Sequence, residues 1–236
     1  MKTTIHRADS RGYFNHGWLQ TYHTFSFAQY YDPTRIHFGK LRVLNDDVIA
    51  PGQGFGRHPH DNMEIVTIPL QGALAHADSE GHEQVIRPNE VQIMSAGSGI
   101  WHSEFNHSDT EPVGLLQIWV LTDARGHKPR YDQKVIDPAA RKEKFHTFVQ
   151  PQQNEDNLWL HQDAYFSRAD LRKGKKCNYG VHTPGNGVYI FVIEGQIEVA
   201  SEHLSRRDGI GIRDAEEFTI QAHSDAQVLA IEVPMH

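Results

Sequence analysis

The stretch Glu64-Ile-Val-Thr-Ile-Pro-Leu-Gln-Gly72-Ala-Leu-Ala75 decides the fold of this chain, because it has the pattern of a strand, a glycine turn and a second strand. A similar stretch, Val188-Tyr-Ile-Phe-Val-Ile-Glu-Gly195-Gln-Ile-Glu-Val199, repeats that order in the second half. In each half, a further turn marked by glycine or proline precedes a closing apolar run, at Leu115–Leu121 and at Val228–Val233. This internal similarity predicts two related β-barrels in tandem.

Short runs rich in branched aliphatic and aromatic residues recur between turn signals along the whole chain, which is typical of strands. These runs are Leu41–Ile49, Glu64–Leu70, Val91–Met94, Leu115–Leu121, Val188–Ile193, Gly209–Ile212, Phe218–Ile220 and Val228–Val233. Helical periodicity is scarce, and only Asp137–Phe145 and Ser167–Leu171 are candidate helices. The sequence therefore predicts an all-β barrel or sandwich, not a helical bundle or a doubly wound sheet.

The segment between Thr122 and Asn157 differs in composition from the rest of the chain. It contains three prolines, many charged residues and the polar run Gln150–Asp156, with few apolar positions. Such a segment is typical of a connection between domains. We predict an N-terminal barrel over residues 1–135, a linker over 136–155 and a C-terminal barrel over 156–236.

The composition narrows the function classes. The 236 residues carry a net charge of −7, so the protein as a whole repels phosphate backbones and anionic membranes, and we expect no direct nucleic-acid partner. No run approaches the 18 or so apolar residues of a membrane span, and the start MKTTIHRADS has no apolar leader. The single cysteine, Cys177, cannot form an intrachain disulfide and is most simply a small apolar residue of the second barrel. We expect a cytoplasmic protein.

Histidine is the abundant residue, with 17 copies, and His58-Pro-His60 is the only pair two positions apart. In a strand, such residues point to the same face, so both imidazoles would enter one interior. Continued alternation would add Asn62 and Glu64 to that face. Burying these groups unpaired would cost roughly 1 to 3 kcal/mol each, so a bound ion or a solvated cavity is expected.

A second cluster begins 42 residues after His60, where alternation places His102, Glu104 and Asn106 on one face. Three neutral imidazoles and a carboxylate suit Fe(II), and also nickel, copper, manganese or zinc, since the ligand types alone do not choose among them. A lone His182 in the second half is expected to pack or to hydrogen-bond rather than to bind a metal. The histidines assigned to the surface or to caps include His6, His37, His82, His107, His127, His146, His203, His223 and His236.

The two clusters resemble the cupin motifs, as Gly52-x5-His58-x-His60-x3-Glu64 and Gly99-x2-His102-x3-Asn106. The glycine after Glu64 comes one residue late, and Val91 and Gly97 stand where the second motif usually has glycine and proline. With these departures, the sequence resembles the pirin family. Further stretches agree, over Asn15–Leu19, His23–Pro33, Leu41–Asp47 and Gln92–Glu104. The similarity is strongest over residues 10–131 and is greatest to bacterial pirins described as quercetin 2,3-dioxygenases.

This resemblance implies a bicupin, two tandem cupin barrels of the jelly-roll type, with one metal ion in the N-terminal barrel only. The implied ligands are His58, His60, His102 and Glu104, and Fe(II) is the preferred ion. Glu64 is a competing carboxylate, which we assign beside the ligands, where it could orient an imidazole. The implied reaction opens the heterocyclic ring of a flavonol such as quercetin with O2 and releases carbon monoxide, with Glu104 as the proton acceptor.

A planar aromatic substrate also needs an apolar slot. The candidates by closeness to the motifs are Phe25, Phe27, Phe55, Met63 and Trp101, of which about two are expected to touch substrate because aromatics in β-proteins are mostly core. The alternative that the resemblance allows is a regulatory protein, in which the metal senses redox state and alters contact with a protein partner. A third alternative, a barrel that has lost its activity, is disfavoured by the intact set of four ligand residues.

Overall fold

The structure of the chain is a computed structural model that describes residues 1–236. It contains 22 strands and one short 3-10 helix, Ala8–Ser10, so the prediction of an all-β protein is confirmed. No helix has the length and apolar character needed to cross a membrane.

The strands of the first half include the predicted run Leu41–Ile49 residue for residue. They are β1 (Lys2–His6), β2 (Gly12–Asn15), β3 (Leu19–His23), β4 (Leu41–Ile49), β5 (Gly54–His60), β6 (Met63–Gln71), β7 (Leu74–Asp78), β8 (Glu83–Ile86), β9 (Glu90–Ser95), β10 (Ile100–Asn106), β11 (Val113–Leu121) and β12 (Arg130–Val135).

The strands of the second half extend each predicted run by one to three residues. They are β13 (His146–Gln150), β14 (Leu158–Trp159), β15 (Tyr165–Leu171), β16 (Lys176–Gly180), β17 (Gly187–Glu194), β18 (Gln196–Val199), β19 (Glu202–Ser205), β20 (Gly209–Arg213), β21 (Glu217–Ala222) and β22 (Ala226–Val233).

The strands form two pairs of sheets, each with one seven-stranded and one four-stranded member. In the N-terminal barrel the orders are β12-β9-β6-β11-β4-β3-β2 and β5-β10-β7-β8. In the C-terminal barrel they are β1-β20-β17-β22-β15-β13-β14 and β16-β21-β18-β19. The two halves therefore have the same architecture, and the prediction of two related barrels is confirmed.

The repeated hairpin occupies the same place in both barrels. Its first strand, β6 or β17, lies inside the large sheet, and its second, β7 or β18, lies in the small sheet. The glycines between them, Gly72 and Gly195, have φ values of 72° and 87°. A Cβ at Gly72 would collide with the Pro112 carbonyl, and a Cβ at Gly195 with the Asp225 carbonyl, just before the closing strand. Both turns therefore require glycine.

The largest apolar cluster lies between the barrels rather than inside either one. Most of its 24 buried residues come from the large sheets of both barrels, with Val66 and Ile118 on one side and Phe191 and Ile231 on the other. A cluster of 18 fills the C-terminal barrel. The N-terminal barrel holds only clusters of six and four, and this leaves its interior free for polar side chains.

Neither predicted helix forms. Ser167–Leu171 belongs to β15, which pairs with β13 and β22. One face of β15 packs between the barrels through Phe166 and the other packs inside the C-terminal barrel through Ala169 and Leu171, so no alternation is visible. Asp137–Phe145 forms turns that stop at Glu143, whose φ is 59°. Arg141 anchors these turns to β15, because its Nε lies 2.7 Å from Asp170 Oδ2.

Two segments lie outside the predicted division of the chain. Strand β1, in the segment assigned to the N-terminal barrel, pairs with β20 of the C-terminal barrel. Strand β13, in the predicted linker, pairs with β15 of that same barrel. Pairing with distant strands determines both positions, and composition carries no signal for such pairing.

Candidate metal centre

Three histidines converge because β5 and β10 pair in antiparallel register. His102 lies directly opposite His58, and Ile100 lies opposite His60. The burial of β10 alternates with a period of two, so His102, Glu104 and Asn106 all face inward, as predicted. Asn106 reaches no ligand residue; its Nδ2 donates to the carbonyls of Ile49 and Glu111 and closes the following loop.

The three imidazoles lie within metal-binding distance of one another. Nitrogens of His58, His60 and His102 are all within 4.8 Å of each other. The ring centroids of His58 and His102 are 4.4 Å apart, and those of His60 and His102 are 4.9 Å apart. His58 Nδ1 lies 2.8 Å from the Gly56 carbonyl, so it must be the donor, and the lone pair of Nε2 is left for an ion.

The chemistry of this cluster fits a metal ion. His102 is buried, yet neither of its ring nitrogens has a hydrogen-bond partner. Burial and the neighbouring imidazoles lower the pKa of His102 to about 2, and burial with the charge of His58 lowers that of His60 to about 4. Both rings are therefore neutral, which is the form that binds transition metals. A buried, unpartnered imidazole is costly unless it has such a ligand.

Glu104 is buried in the same interior, two residues after His102 on β10. Gln117 Nε2 donates to its Oε2 at 2.8 Å, whereas Oε1 has only the Thr67 hydroxyl at 3.5 Å. One carboxylate oxygen is within 4.8 Å of a nitrogen of His102, but Glu104 does not fall within that distance of all three histidines. Burial and the charge of Asp47 raise the pKa of Glu104 to about 7.

The predicted alternation fails beyond His60. Asn62 has a φ of 46° in the turn after β5, and its Oδ1 accepts a hydrogen bond from the Gly126 amide. Because the chain turns there, the parity of β5 does not continue into β6. Glu64 faces away from the cluster, on the same side of β6 as Val66, and accepts a hydrogen bond from Ser95 Oγ at 2.7 Å. The assignment of Glu64 beside the ligands is therefore wrong.

The cluster opens into a cavity of about 220 Å³. Two of the five residues predicted to form the apolar slot, Phe27 and Phe55, line it. Phe25 instead lies in the core between the barrels, Met63 packs against a small apolar cluster, and Trp101 lies on the outside of β10. Residues of the cavity wall that the sequence did not single out are Asn45, Asp47, Ile65, Gln117 and Trp119.

His76 is the functional candidate that the sequence analysis missed. It is buried on β7, and nitrogens of His76 and His102 lie within 4.8 Å of each other. Its Nε2 is 3.2 Å from Asp78 Oδ2, and His82 Nδ1 is 2.9 Å from the same oxygen. The Nδ1 atom of His76 has no hydrogen-bond partner. The spacing of His76-Ala-Asp78 places both side chains on one face of a strand, but only the pairing of β7 with β10 brings that face to the cluster.

Other assignments fare differently. His182 is hydrogen-bonded, as expected, with Nδ1 2.9 Å from Glu232 Oε2, and Cys177 is buried in the apolar cluster of the C-terminal barrel. His6 is not at the surface, because it is buried with Nδ1 2.9 Å from the Tyr189 hydroxyl. The reason is that β1 crosses to the C-terminal barrel, where Tyr189 lies.

Two tandem double-sheet barrels, with a cluster of histidines inside only the first, define the chain as a bicupin with one internal metal-type site. A family profile described as Pirin matches residues 4–120, and one described as Quercetinase C-terminal cupin domain matches residues 147–233. The chain belongs to the pirin family.

Relatives match over nearly the whole chain. The chain is 42% identical over 230 residues to a protein of Escherichia coli K12 named quercetin 2,3-dioxygenase, with 98% of each chain covered. It is 39% identical over 225 residues to a pirin-like protein of Caulobacter vibrioides, with 95% of this chain and 96% of that protein covered. The crystal structure of the bacterial pirin YhhW of E. coli in complex with nickel(II) matches with a TM-score of 0.93 at 40% identity, covering 99% of both chains.

Proposed function

We propose that this chain is a metal-dependent dioxygenase that cleaves the heterocyclic ring of flavonols such as quercetin with O2 and releases carbon monoxide. The observation that carries the proposal is the buried His102 ring, which has no hydrogen-bond partner and meets two further imidazoles at a cavity. The relatives named quercetin 2,3-dioxygenase supply the substrate class.

We assign His58, His60 and His102 as ligands of one divalent transition-metal ion and Glu104 as the carboxylate that completes the set. Such an ion, when bound with open positions, supplies Lewis-acid activation of the substrate hydroxyl and access to O2. We take Fe(II) as the resident ion, with nickel, manganese, copper and zinc as ions that the same residues accept.

Glu104 is also the group that we assign to accept the proton of the flavonol 3-hydroxyl. Gln117 fixes Oε2 by donating a hydrogen bond at 2.8 Å, so Oε1, with only the distant Thr67 hydroxyl, is the oxygen free to take the proton. In the ion-free protein, burial and Asp47 raise the pKa of Glu104 to about 7, whereas a bound cation would favour its anionic, proton-accepting form.

Aromatic side chains give the substrate a flat place to bind. Phe27 and Trp119 lie edge to face, with ring centroids 5.2 Å apart, and Phe55 lines the cavity as well. A volume of about 220 Å³ is below the roughly 300 to 1,000 Å³ of pockets that enclose a drug-sized ligand. The flavonol therefore inserts its hydroxyl end and leaves its outer ring at the mouth. A reducing compartment such as the cytoplasm suits the chain, since Cys177 is buried and unpaired.

The test is aerobic turnover of quercetin by protein reconstituted separately with Fe(II), nickel and manganese. Flavonol loss and carbon monoxide release are followed together, and His60→Ala serves as the blank. We expect metal-dependent flavonol loss matched mole for mole by carbon monoxide. No turnover with any metal, despite one ion bound at this cluster per chain, would contradict the proposal and favour the regulatory alternative.

Glu104→Gln separates the role of the carboxylate from its shape, because glutamine keeps the volume and loses the basic oxygen. Glu64→Gln is the matched control: it is a buried glutamate of the same barrel whose side chain faces away from the cluster. We expect turnover to fall by about 100-fold or more in Glu104→Gln, in line with the usual contribution of a general base, and to be unchanged in Glu64→Gln. Equal activity in both variants would exclude Glu104 as the proton acceptor.

A further inference from the structure

A second cluster of metal-binding side chains lies on the C-terminal barrel, outside the site described above. Donor atoms of Glu198, His203 and His223 all lie within 4.8 Å of one another. The two rings have centroids 5.1 Å apart. The cluster stands on the outer face of the small sheet, because the neighbours of Glu198 along β18, Ile197 and Val199, point into the apolar core.

The register of the small sheet holds these three residues together. Glu198 lies directly opposite His203 in the hairpin of β18 and β19. The two-residue turn of that hairpin, Ala200 and Ser201, has φ values of 52° and 63°, the left-handed conformation of a tight hairpin turn that fixes the pairing. His223 follows β21, and its amide donates to the Gln196 carbonyl at 2.8 Å, so the ladder continues to this residue.

The two distances from Glu198 match those between ligands of a tetrahedral ion. His203 Nε2 and His223 Nε2 lie 3.5 Å and 3.3 Å from the same oxygen, Glu198 Oε2. Ligands at about 2.1 Å from a tetrahedral zinc ion are about 3.4 Å apart. Glu198 is the only polar group within hydrogen-bond or ion-pair distance of either ring. One carboxylate oxygen therefore faces two imidazole nitrogens with no other partner.

We propose that Glu198, His203 and His223 form a second, surface-exposed site for a divalent transition-metal ion such as Zn²⁺. Two imidazoles and one carboxylate occupy three corners of a tetrahedron. Because all three side chains stand on the outer face, and that of His203 is 74% exposed, the fourth corner faces solvent and takes a water or a donor from another molecule. The net charge of −7 attracts cations to the surface.

The arginine that contacts His203 does not oppose the binding of an ion. Arg7 donates to the His203 carbonyl, but its charge is balanced by Asp208 at 3.1 Å and by Glu202 at 4.0 Å. The site is independent of the proposed dioxygenase activity, because its residues lie on the other barrel and none of them lines the cavity at His102.

Zinc stoichiometry tests the proposal. Full-length protein is equilibrated with micromolar ZnCl2 and its zinc content is measured after removal of free ion. We expect His203→Ala and His223→Ala to bind one zinc ion fewer per chain than the parent, and Glu198→Gln to bind the second ion at least tenfold more weakly. The matched control is His107→Ala, which removes an exposed imidazole outside any cluster and should leave the stoichiometry unchanged.

Two further measurements distinguish this site from the site at His102. His102→Ala should remove the other zinc ion and leave this one, whereas His203→Ala should leave quercetin turnover unchanged. Anomalous diffraction at the zinc edge should give a peak between Glu198, His203 and His223. The proposal is overturned if His203→Ala and His223→Ala retain as much zinc as the parent, or if no peak lies between the three side chains.

Discussion

Each barrel places a histidine beside a buried glutamate, and the two pairs have opposite surroundings: His102 is buried, whereas the side chain of His182 is 34% exposed. In the C-terminal barrel, Glu232 accepts hydrogen bonds from the Tyr179 hydroxyl, the amides of His182 and Thr183, and Asn186 Nδ2, and His182 Nδ1 lies 2.9 Å away. In the N-terminal barrel, both nitrogens of His102 are unpartnered. A saturated pair is a structural anchor, whereas an unsaturated one of the same residue types is a place for a ligand.

The pKa values of the two glutamates record the same difference. Burial alone would raise the pKa of Glu232, but hydrogen bonds from His182 and Thr183 outweigh burial, and the pKa lies below its usual value. Burial and the charge of Asp47 raise the pKa of Glu104 to about 7. Hydrogen bonds within the protein stabilise Glu232 as an anion, whereas the anionic form of Glu104 would be stabilised by a bound cation.

The largest expected effect separates the two histidines directly. We expect His102→Ala to lose the bound ion and to lower quercetin turnover by more than about 100-fold. This effect is larger than that of removing a residue that only contacts a metal ligand. His182→Ala should keep both the ion and the activity, because His182 hydrogen-bonds to protein alone. Metal content and quercetin turnover are measured for both variants. Loss of the ion in His182→Ala would contradict the assignment of His182 as a purely structural residue.

Stability should respond in the opposite sense. Glu232→Ala leaves several buried donors without an acceptor, so we expect the free energy of unfolding to fall by about 3 to 5 kcal/mol. Urea denaturation of metal-free protein measures the change. Glu104→Ala is the matched variant and should cost less, because its carboxylate accepts only one short hydrogen bond, from Gln117. An equal loss in both variants would mean that the two carboxylates contribute alike to stability.

A third glutamate, Glu64, should give a pH dependence of stability opposite to that of Glu232. Burial raises the pKa of Glu64 to about 7. Its folded pKa exceeds its unfolded value near 4.5, so the folded state holds the extra proton and stability is lost as the pH rises from about 4.5 to 7. Glu64→Gln should remove this loss, which is at most about 3 kcal/mol.

The lowered pKa of Glu232 gives the reverse sign: its stabilisation is present above pH 4.5 and is lost as the pH falls below that value. Urea midpoints from about pH 2.5 to 8 test both statements. A Glu64→Gln profile parallel to that of the parent would refute the first.

The smallest effect concerns His76, which lies between Asp78 and His102. We expect His76→Ala to weaken metal binding by about 10- to 100-fold, because its unpartnered Nδ1 lies on a ring within 4.8 Å of a His102 nitrogen and its loss changes the immediate surroundings of the ligands. Competition with a chelator measures the affinity. His82→Ala is the control, since His82 contacts Asp78 but lies outside the cluster. Unchanged affinity in His76→Ala would restrict the metal-type site to the residues found from the sequence.

The parts of the site that could be predicted lie within single strands. The alternation of His102 and Glu104 on β10 is regular, and the strand keeps it from Ile100 to Asn106. Prediction failed at Glu64, because one left-handed residue, Asn62, broke the alternation between β5 and β6. It failed at His76 for a different reason, because β7 reaches the cluster only through its pairing with β10.

The sequence by itself determined the all-β architecture, the repeat of two barrels and the histidines of the first, because local alternation, glycine turns and residue type are properties of neighbouring positions. Only the tertiary structure decided that β1 belongs to the second barrel, that Glu64 faces away from the cluster, and that Glu198 meets two histidines at one oxygen. Strand pairing and the packing of sheets bring together residues far apart in the chain, and no local pattern encodes those distances.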